Sequence, residues 1–315
     1  MKDSLGQCPL VSIIMPVYNV GRYLEDSLKS VEKQTYANIQ LIIVNDGSTD
    51  SSGNIIKRFI KSTKLTNLIY IEQENAGLSE ARNTAIKRVD GKYTYFFDSD
   101  DILNAKAIKK SVEFMEKKNI DLLMFCAEAF IENEHSYQSK YVFRPKQLKS
   151  EAVYSKQEYI FKMKNERFSA VWLYLYRTEI IKRNSLCFYP DIYFEDALFT
   201  PIAYYYMNTV GFLSDVFVYH RINPQSITMR DDKDEYKVSS YLTVLKELDL
   251  FVKMNVADKW LINYYSKQQM FTVREIRNFS ILDKVHIRTL CKNYNIGFDV
   301  IYELKSRIKK IVRKV

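Results

Sequence analysis

The chain is 315 residues long, with 47% apolar residues and a formal net charge of +9. That length allows one large domain, or a catalytic domain with a helical appendage, and the apolar share supplies a sizeable core. A tally of 24 Tyr and 18 Phe against 8 Gly argues against a disordered or low-complexity chain. Much of the positive charge crowds into Glu303 to Val315, and no zinc-finger spacing or basic helix-turn-helix pattern points to nucleic acid.

Leu10 to Val17, apolar and dense in β-branched residues, reads as a first strand. Tyr23 to Val31 then carries Leu24, Leu28 and Val31 at helical spacing. Gln40 to Val44 is a second strand, Ile55 to Ile60 part of a second helix, and Leu68 to Ile71 a third strand. Leu78 to Val89 puts Leu78, Ala81, Ala85 and Val89 on one helical face, and Tyr93 to Phe97 is a fourth strand that stops at Asp98. Strand and helix alternating, with apolar strands, predicts an α/β fold whose parallel sheet is covered on both faces.

Beyond it the pattern predicts a strand from Asp121 to Cys126 and a polar hairpin or flap from Glu132 to Ser150. An aromatic, apolar segment from Ala170 to Ile181, a helix from Phe194 to Tyr206 and a strand from Val210 to Tyr219 follow. From about Asp234 the pattern is helical, and without a Pro/Gly-rich linker the boundary near residue 230 is soft.

In such sheets ligands bind outside the carboxyl ends of the strands. The four strand ends carry Pro16-Val17-Tyr18-Asn19, Asn45-Asp46-Gly47-Ser48, Glu74-Asn75-Ala76-Gly77 and Asp98-Ser99-Asp100-Asp101. Three carboxylates in the last four residues repel one another, and a divalent cation would relieve that; Mg²⁺ or Mn²⁺ takes one or two carboxylates and completes its shell with phosphate oxygens and water. Aspartates capping a helix after Leu103 are the plain alternative. For Asn45 to Asp50, likewise, helix capping competes with a carboxylate accepting from a base NH. Gly77 permits close backbone approach at a helix N-terminus that attracts anions. Arg82, on the packed side of the same helix, needs a partner: a diphosphate, or an internal ion pair with Asp98 or Asp46.

Together these motifs, with Ala81-Arg82-Asn83 and the run Asn45-Asp46-Gly47-Ser48-Thr49-Asp50, resemble the nucleotide-binding half of glycosyltransferase family 2, which has the GT-A fold. The resemblance is dense from Val11 to Asp101 and thinner beyond. It implies that Pro16, Val17, Tyr18 and Asn19 line a uracil pocket and that Asp46 hydrogen-bonds the base. It further implies that Asn75, Gly77 and Arg82 lie near ribose and diphosphate, beside Asp98 and Ser99. Asp98 and Asp100 would hold Mg²⁺ or Mn²⁺, with Asp100 the principal ligand and Asp101 a cap. The bare D-x-D spacing is consistent, since residues two apart on an extended segment point the same way.

Phe194-Glu195-Asp196-Ala197-Leu198-Phe199 resembles the acidic motif of the family beneath the acceptor site. An inverting transfer needs one carboxylate to take the acceptor's proton; the resemblance assigns this to Asp196, with Glu195 in reserve and helix capping as the bland reading. Trp172 and Tyr176 match aromatic positions before that motif, and pack the core or stack on an acceptor sugar. Tyr219-His220-Arg221 and Ser226-Ile227-Thr228-Met229-Arg230 resemble the closing segment of the family. His220 would be a metal ligand or an ordinary hydrogen-bonded histidine, and Arg221 or Arg230 would reach the diphosphate from a mobile loop. The Q-x-x-R-W motif of processive synthases is absent, which favours adding one sugar over polymer extrusion. A sugar-nucleotide pyrophosphorylase would need a Gly-rich loop after the first strand, which is missing; a non-catalytic donor-binding partner of a synthase would not need the acidic set.

The domain expectation is a GT-A catalytic domain over 1–230, split into a nucleotide-sugar half about 8–130 and an acceptor half about 131–230, followed by a helical region over 231–315. At the C-terminus Ile301, Leu304, Ile308, Ile311 and Val315 fall at helical spacing among Lys305, Arg307, Lys309, Lys310, Arg313 and Lys314. That pattern fits a helix on an anionic membrane as well as a terminal helix packed on the domain. Cys8, Cys126, Cys187 and Cys291 form no C-x-x-C pair, two of them lie in apolar runs as small core residues, and a reducing cytoplasm suits them. With no signal core and no ~20-residue apolar span, the chain is expected to be cytoplasmic, or peripheral on the inner face of the plasma membrane. The expected reaction moves one sugar from a UDP-sugar to a lipid-linked saccharide acceptor in capsule, O-antigen or exopolysaccharide synthesis.

Overall fold

The computed structural model describes residues 8–133, 136–166, 168–223, 226 and 234–278. Cys291, Ile227 to Arg230 and the basic tail from Ile301 lie outside the described residues. The first third alternates β1 (Val11–Val17), α1 (Gly21–Glu32), β2 (Ile39–Asp46), α2 (Ser52–Ser62), β3 (Asn67–Gln73), α3 (Leu78–Ile86) and β4 (Tyr93–Phe96). Then come β5 (Ile102–Leu103), α4 (Ala107–Lys118), β6 (Leu122–Asn133), β7 (Ser136–Phe143), β8 (Ala152–Ser155) and α5 (Lys156–Met163). A 3-10 turn over Val171–Leu173 leads into β9 (Tyr174–Arg177), α6 (Thr178–Arg183), α7 (Asp196–Tyr206), β10 (Thr209–Arg221), α8 (Asp234–Asn255) and α9 (Lys259–Asn278).

The ten strands of the described residues join one sheet, ordered β3-β2-β1-β4-β9-β6-β10-β5, with β7 beside β6 and β8 beside β10. Strands β1 to β4 are parallel, as the alternation of strand and helix predicts, and β6 and β10 are parallel to each other. The departure is β9, which inserts antiparallel between β4 and β6. Apolar periodicity does not encode strand direction, and the segment around Tyr174-Leu175-Tyr176 read only as aromatic and apolar, so neither the strand nor its orientation was expected. The result is an α/β fold whose longer central strands mostly run one way, with helices on its faces.

Residues of β1 and β2 are buried on both faces, which is why these strands read as continuous apolar runs. Pro16, inside β1, lacks the N–H a central strand needs. It is tolerated because the β1–β4 ladder ends at Ile14 and Phe96, with the Phe97 amide donating to the Ile14 carbonyl as its last rung. Two residues on, Pro16 points its missing donor to the same side, where β4 has already turned away. Phe96 packs edge-on against Phe188, Phe199 and Tyr176, pinning α7 to β4. Leu248 of α8 and Tyr265 of α9 join the same core, each large buried side chain contributing ~1.5–3 kcal/mol. Of the described cysteines only Cys126 is buried. No described helix is long and apolar enough to cross a membrane.

Candidate active site

The loops after β1, β2 and β3 are joined to one another by hydrogen bonds. Asn19, at φ 51°, takes the left-handed conformation that Asn tolerates. Its Oδ1 accepts from the Thr49 amide at 2.8 Å and the Asp50 amide at 3.3 Å, while its own amide donates to Ser48 Oγ at 3.1 Å. Asp50 returns the bond by accepting from the Gly21 amide at 2.8 Å, where α1 begins. Tyr18, at the tip, is 48% exposed, and Asn75 is exposed, whereas Pro16 and Val17 are buried in β1.

Asp46 is 3% exposed and accepts from the amides of Ala76 and Gly77 at 2.9 Å each and from Gln73 Nε2 at 2.7 Å. Its carboxylate therefore moulds the Asn75-Ala76-Gly77 turn. Glycine is required at both turns. A Cβ on Gly47 would lie 2.7 Å from the Asn75 nitrogen, and Gly77 has φ 88°, a region closed to side-chain-bearing residues.

Arg82 is 2% exposed and paired at both ends of its guanidinium. One nitrogen donates to Asp98 Oδ1 at 2.8 Å, the other to Glu195 Oε1, and the plane lies 5.0 Å from the Phe188 ring centroid. This is the internal ion pair anticipated with Asp98. The second partner, Glu195, was not foreseen, because 113 residues separate it from Arg82. Glu195 does not cap α7 through its side chain; burial pushes its carboxyl up to about 7, Asp196 and Asp98 adding to the rise and Arg82 opposing it. Asp196, in the first turn of α7, is the less buried of the two.

The acidic loop does not cap a helix. After Asp101 comes the two-residue β5, and α4 starts only at Ala107 with no side-chain cap. Asp101 is fully buried, and the expectation of a cap there is corrected. It accepts from the Arg221 amide at 2.9 Å and faces His220 Nδ1 at 2.9 Å. Burial works against a charge on His220, yet the Asp101 carboxylate outweighs it and pushes the imidazole up to about 9. His220 also stacks on Trp172 at 4.8 Å. The hydrogen-bonded reading of His220 accounts for these contacts. Trp172 and Tyr176 are both buried. Arg221 departs from the expected mobile loop: it ends β10 and its side chain is 1% exposed.

Asp100 is partly buried, and its carboxyl is pushed up to about 7 by burial first, then by Asp101 and Asp98. Among the described residues no group of three or more His, Cys, Asp or Glu is arranged to hold a metal ion. Two carboxylates, Asp98 and Asp100, nevertheless fit an ion that draws its remaining oxygens from a diphosphate and water. One Asp98 oxygen remains after Arg82 has taken the other.

The model of "Glycosyl transferase family 2" matches residues 12–184, more than half of the chain and every strand-end cluster just described. The chain belongs to this family. Its family-2 relatives include EpsJ of Bacillus subtilis (strain 168), an uncharacterized glycosyltransferase 36% identical over 225 residues, which cover 70% of this chain and 63% of that protein. Another is TuaG of the same organism, a putative teichuronic acid biosynthesis glycosyltransferase 34% identical over 140 residues, 44% of this chain and 55% of that protein. The chain thus spans less than two thirds of the length of either relative. Among solved structures, S. aureus TarS 1-349 in complex with UDP-GlcNAc superposes with a TM-score of 0.66 at 21% identity, over 92% of this chain and 77% of that one. That likeness is one of fold and gives this family-2 chain the GT-A architecture.

Proposed function

We propose that this chain is an inverting glycosyltransferase that moves one sugar from a UDP-sugar to a saccharide acceptor in the synthesis of a bacterial surface polysaccharide. The observation that carries this reading is Arg82, which joins Asp98 of the donor-side acidic loop to Glu195, the neighbour of Asp196. The D-x-D loop is thereby ion-paired to Glu195, the residue next to the carboxylate suited to deprotonating an acceptor. Support for the donor comes from the family and from the UDP-sugar bound in the TarS neighbour; support for the pathway comes from the naming of TuaG.

In this reading Tyr18 stacks on the uracil, and the loops ordered by Asn19 and Asp46 hold the base and ribose. Asp98 and Asp100 would hold Mg²⁺ or Mn²⁺, which supplies positive charge to the departing diphosphate. The acceptor hydroxyl attacks the anomeric carbon from the side opposite UDP; its proton passes to a carboxylate oxygen of Asp196 as the new C–O bond forms and the bond to the diphosphate oxygen breaks. Glu195, held by Arg82, stays an ion-pair partner. A lipid-linked acceptor, met at a membrane surface through the basic tail, extends the proposal on the strength of the tail's sequence pattern.

A panel of UDP-sugars screened for Mn²⁺-dependent UDP release, with Asp100→Ala and Asp196→Asn as controls, tests the reading. Turnover that EDTA abolishes and that both variants lack is the expected result. Transfer surviving both substitutions overturns the assigned roles, and a chain that binds UDP-sugars but never releases UDP is a donor-binding subunit instead.

A further inference from the structure

The end of β10 does more than complete the sheet. β5 zips antiparallel onto β10, pairing Ile102 with Tyr219, so the next residues outward bring Arg221 opposite the acidic loop. There the Arg221 amide donates to Asp101 Oδ1 at 2.9 Å and its Nε–H donates to the main-chain carbonyl of Asp100, also at 2.9 Å. The rest of the guanidinium is caged. It pairs with Glu132 at the end of β6, reaches Asp26 of α1 at 3.9 Å, and lies between the rings of Tyr23 at 4.7 Å and Phe130 at 4.9 Å. A buried cation held on two ring faces and by carboxylates from two other elements cannot swing out to a ligand. Its Nε–H is spent on the backbone of Asp100, while its two Nη atoms have ion-pair neighbours but no hydrogen bond.

We infer that Arg221 is a positioning residue of the donor site: it locks the main chain of Asp100 against α1 and β6, with Asp101 as its internal receiver, so that the Asp98 and Asp100 carboxylates are presented to the donor diphosphate. A planar fork suits this, since its Nε and Nη1 sit at two positions, the Asp100 carbonyl and Glu132, that a lysine's single nitrogen cannot both occupy. The inference rests on the donor-site reading above, and its test separates the two.

Hydrogen exchange of the segment 97–103 is measured in the unliganded protein, and UDP affinity in the presence of Mn²⁺ by calorimetry, for the parent, Arg221→Lys and Glu132→Gln. In Arg221→Lys the segment exchanges faster while β1 to β3 keep the parent's protection, and UDP affinity with Mn²⁺ falls about 10–100-fold, the usual loss when the support of a ligand is removed. Glu132→Gln, which leaves the bond to the Asp100 carbonyl in place but weakens the anchor on β6, shows both effects to a smaller degree. Unchanged exchange in Arg221→Lys overturns the lock; faster exchange with unchanged UDP affinity overturns its bearing on the donor; exchange faster everywhere marks Arg221 as merely structural and also overturns it. If Arg221→Lys does not fold, Asp101→Asn takes its place in the same two measurements, and the same results support or overturn the lock. Should the parent bind no UDP, the donor reading falls, while the exchange result still decides the lock.

Discussion

The loops after β1, β2 and β3 are tied together by bonds that reach 30 or 31 residues along the chain, as from Asn19 to Thr49 or from Asp46 to Gly77. The acidic loop after β4 and the arginine paired with it are held by partners 113 to 121 residues away: Arg82 reaches Glu195, Asp101 faces His220, and Asp100 receives Arg221. The near loops bind each βα unit to the next, so each can form as its own strand pair forms. The acidic loop is held by contacts from β10 and α7, alongside the bond from Ser27 of α1 to the Asp101 carbonyl. The difference separates two tasks. In the proposed reading donor recognition rests on local scaffolding, whereas the chemistry rests on contacts between elements distant in sequence.

The largest effect expected on this contrast is from Asp196→Asn. It should lower kcat about 10²–10⁴-fold while leaving UDP affinity at the parent's value, as steady-state kinetics and calorimetry would show. A parallel loss of UDP affinity would mean that α7 is not separable from the donor side. Next comes Arg82→Ala, which strands Glu195 and half of Asp98 without a cation; removing one partner of such a buried network costs about 3–5 kcal/mol, read from urea unfolding. Asp46→Ala breaks the local side of the comparison. It leaves the Ala76 and Gly77 amides without their acceptor, costing about 1–3 kcal/mol, and should weaken UDP binding without a separate defect in turnover of bound donor.

The acidic loop also predicts a pH response opposite in sign to that of Asp50 in the near loops, where burial is outweighed by hydrogen bonds from Ser52 and Gly21 that lower the carboxyl. Asp100 and His220 both hold protons more tightly folded than unfolded, with values pushed up to about 7 and about 9. Their contribution to the stability of the metal-free protein is therefore present at low pH and is lost as pH rises, first through about 7 and then through about 9. Thermal unfolding across that window should show the decline, and Asp100→Asn should flatten its lower step. The smallest effect on the fold belongs to Tyr18→Ala, within ~0.5 kcal/mol because the ring is largely exposed. Its consequence should appear in UDP affinity alone, by roughly the 1–3 kcal/mol of an aromatic stack on a base.

Much of the first third was legible because a βα unit is a local object. Apolar runs ended at turn-forming residues, helical faces recurred at Leu78, Ala81 and Ala85, and each strand end carried its polar cluster within four residues. The strand-end rule then pointed to the candidate site before any partner was known. Within the same third, what Asp46 does was not legible. A carboxylate after a strand can face a ligand or mould the neighbouring loop, and only the position of the β3–α3 turn shows it accepting from Ala76 and Gly77.

The second half yielded some of its elements but not their arrangement. Periodicity announced a strand around Val210 but only an aromatic, apolar segment around Tyr174, and nothing in it places β9 antiparallel beside β4 or makes β10 a neighbour of both β5 and β6. Those adjacencies turned Asp101 from an expected cap into the receiver of His220 and Arg221. They also drew Arg221 off a supposed loop into a buried cage, and gave Arg82 a second carboxylate in Glu195. The sequence by itself determined which residues can carry charge at which strand end, because local backbone geometry and apolar burial act over a few residues. The tertiary structure alone decided which charges meet, because pairing across residues as far apart as Arg82 and Glu195 depends on sheet order, and sheet order is settled by packing the whole core at once.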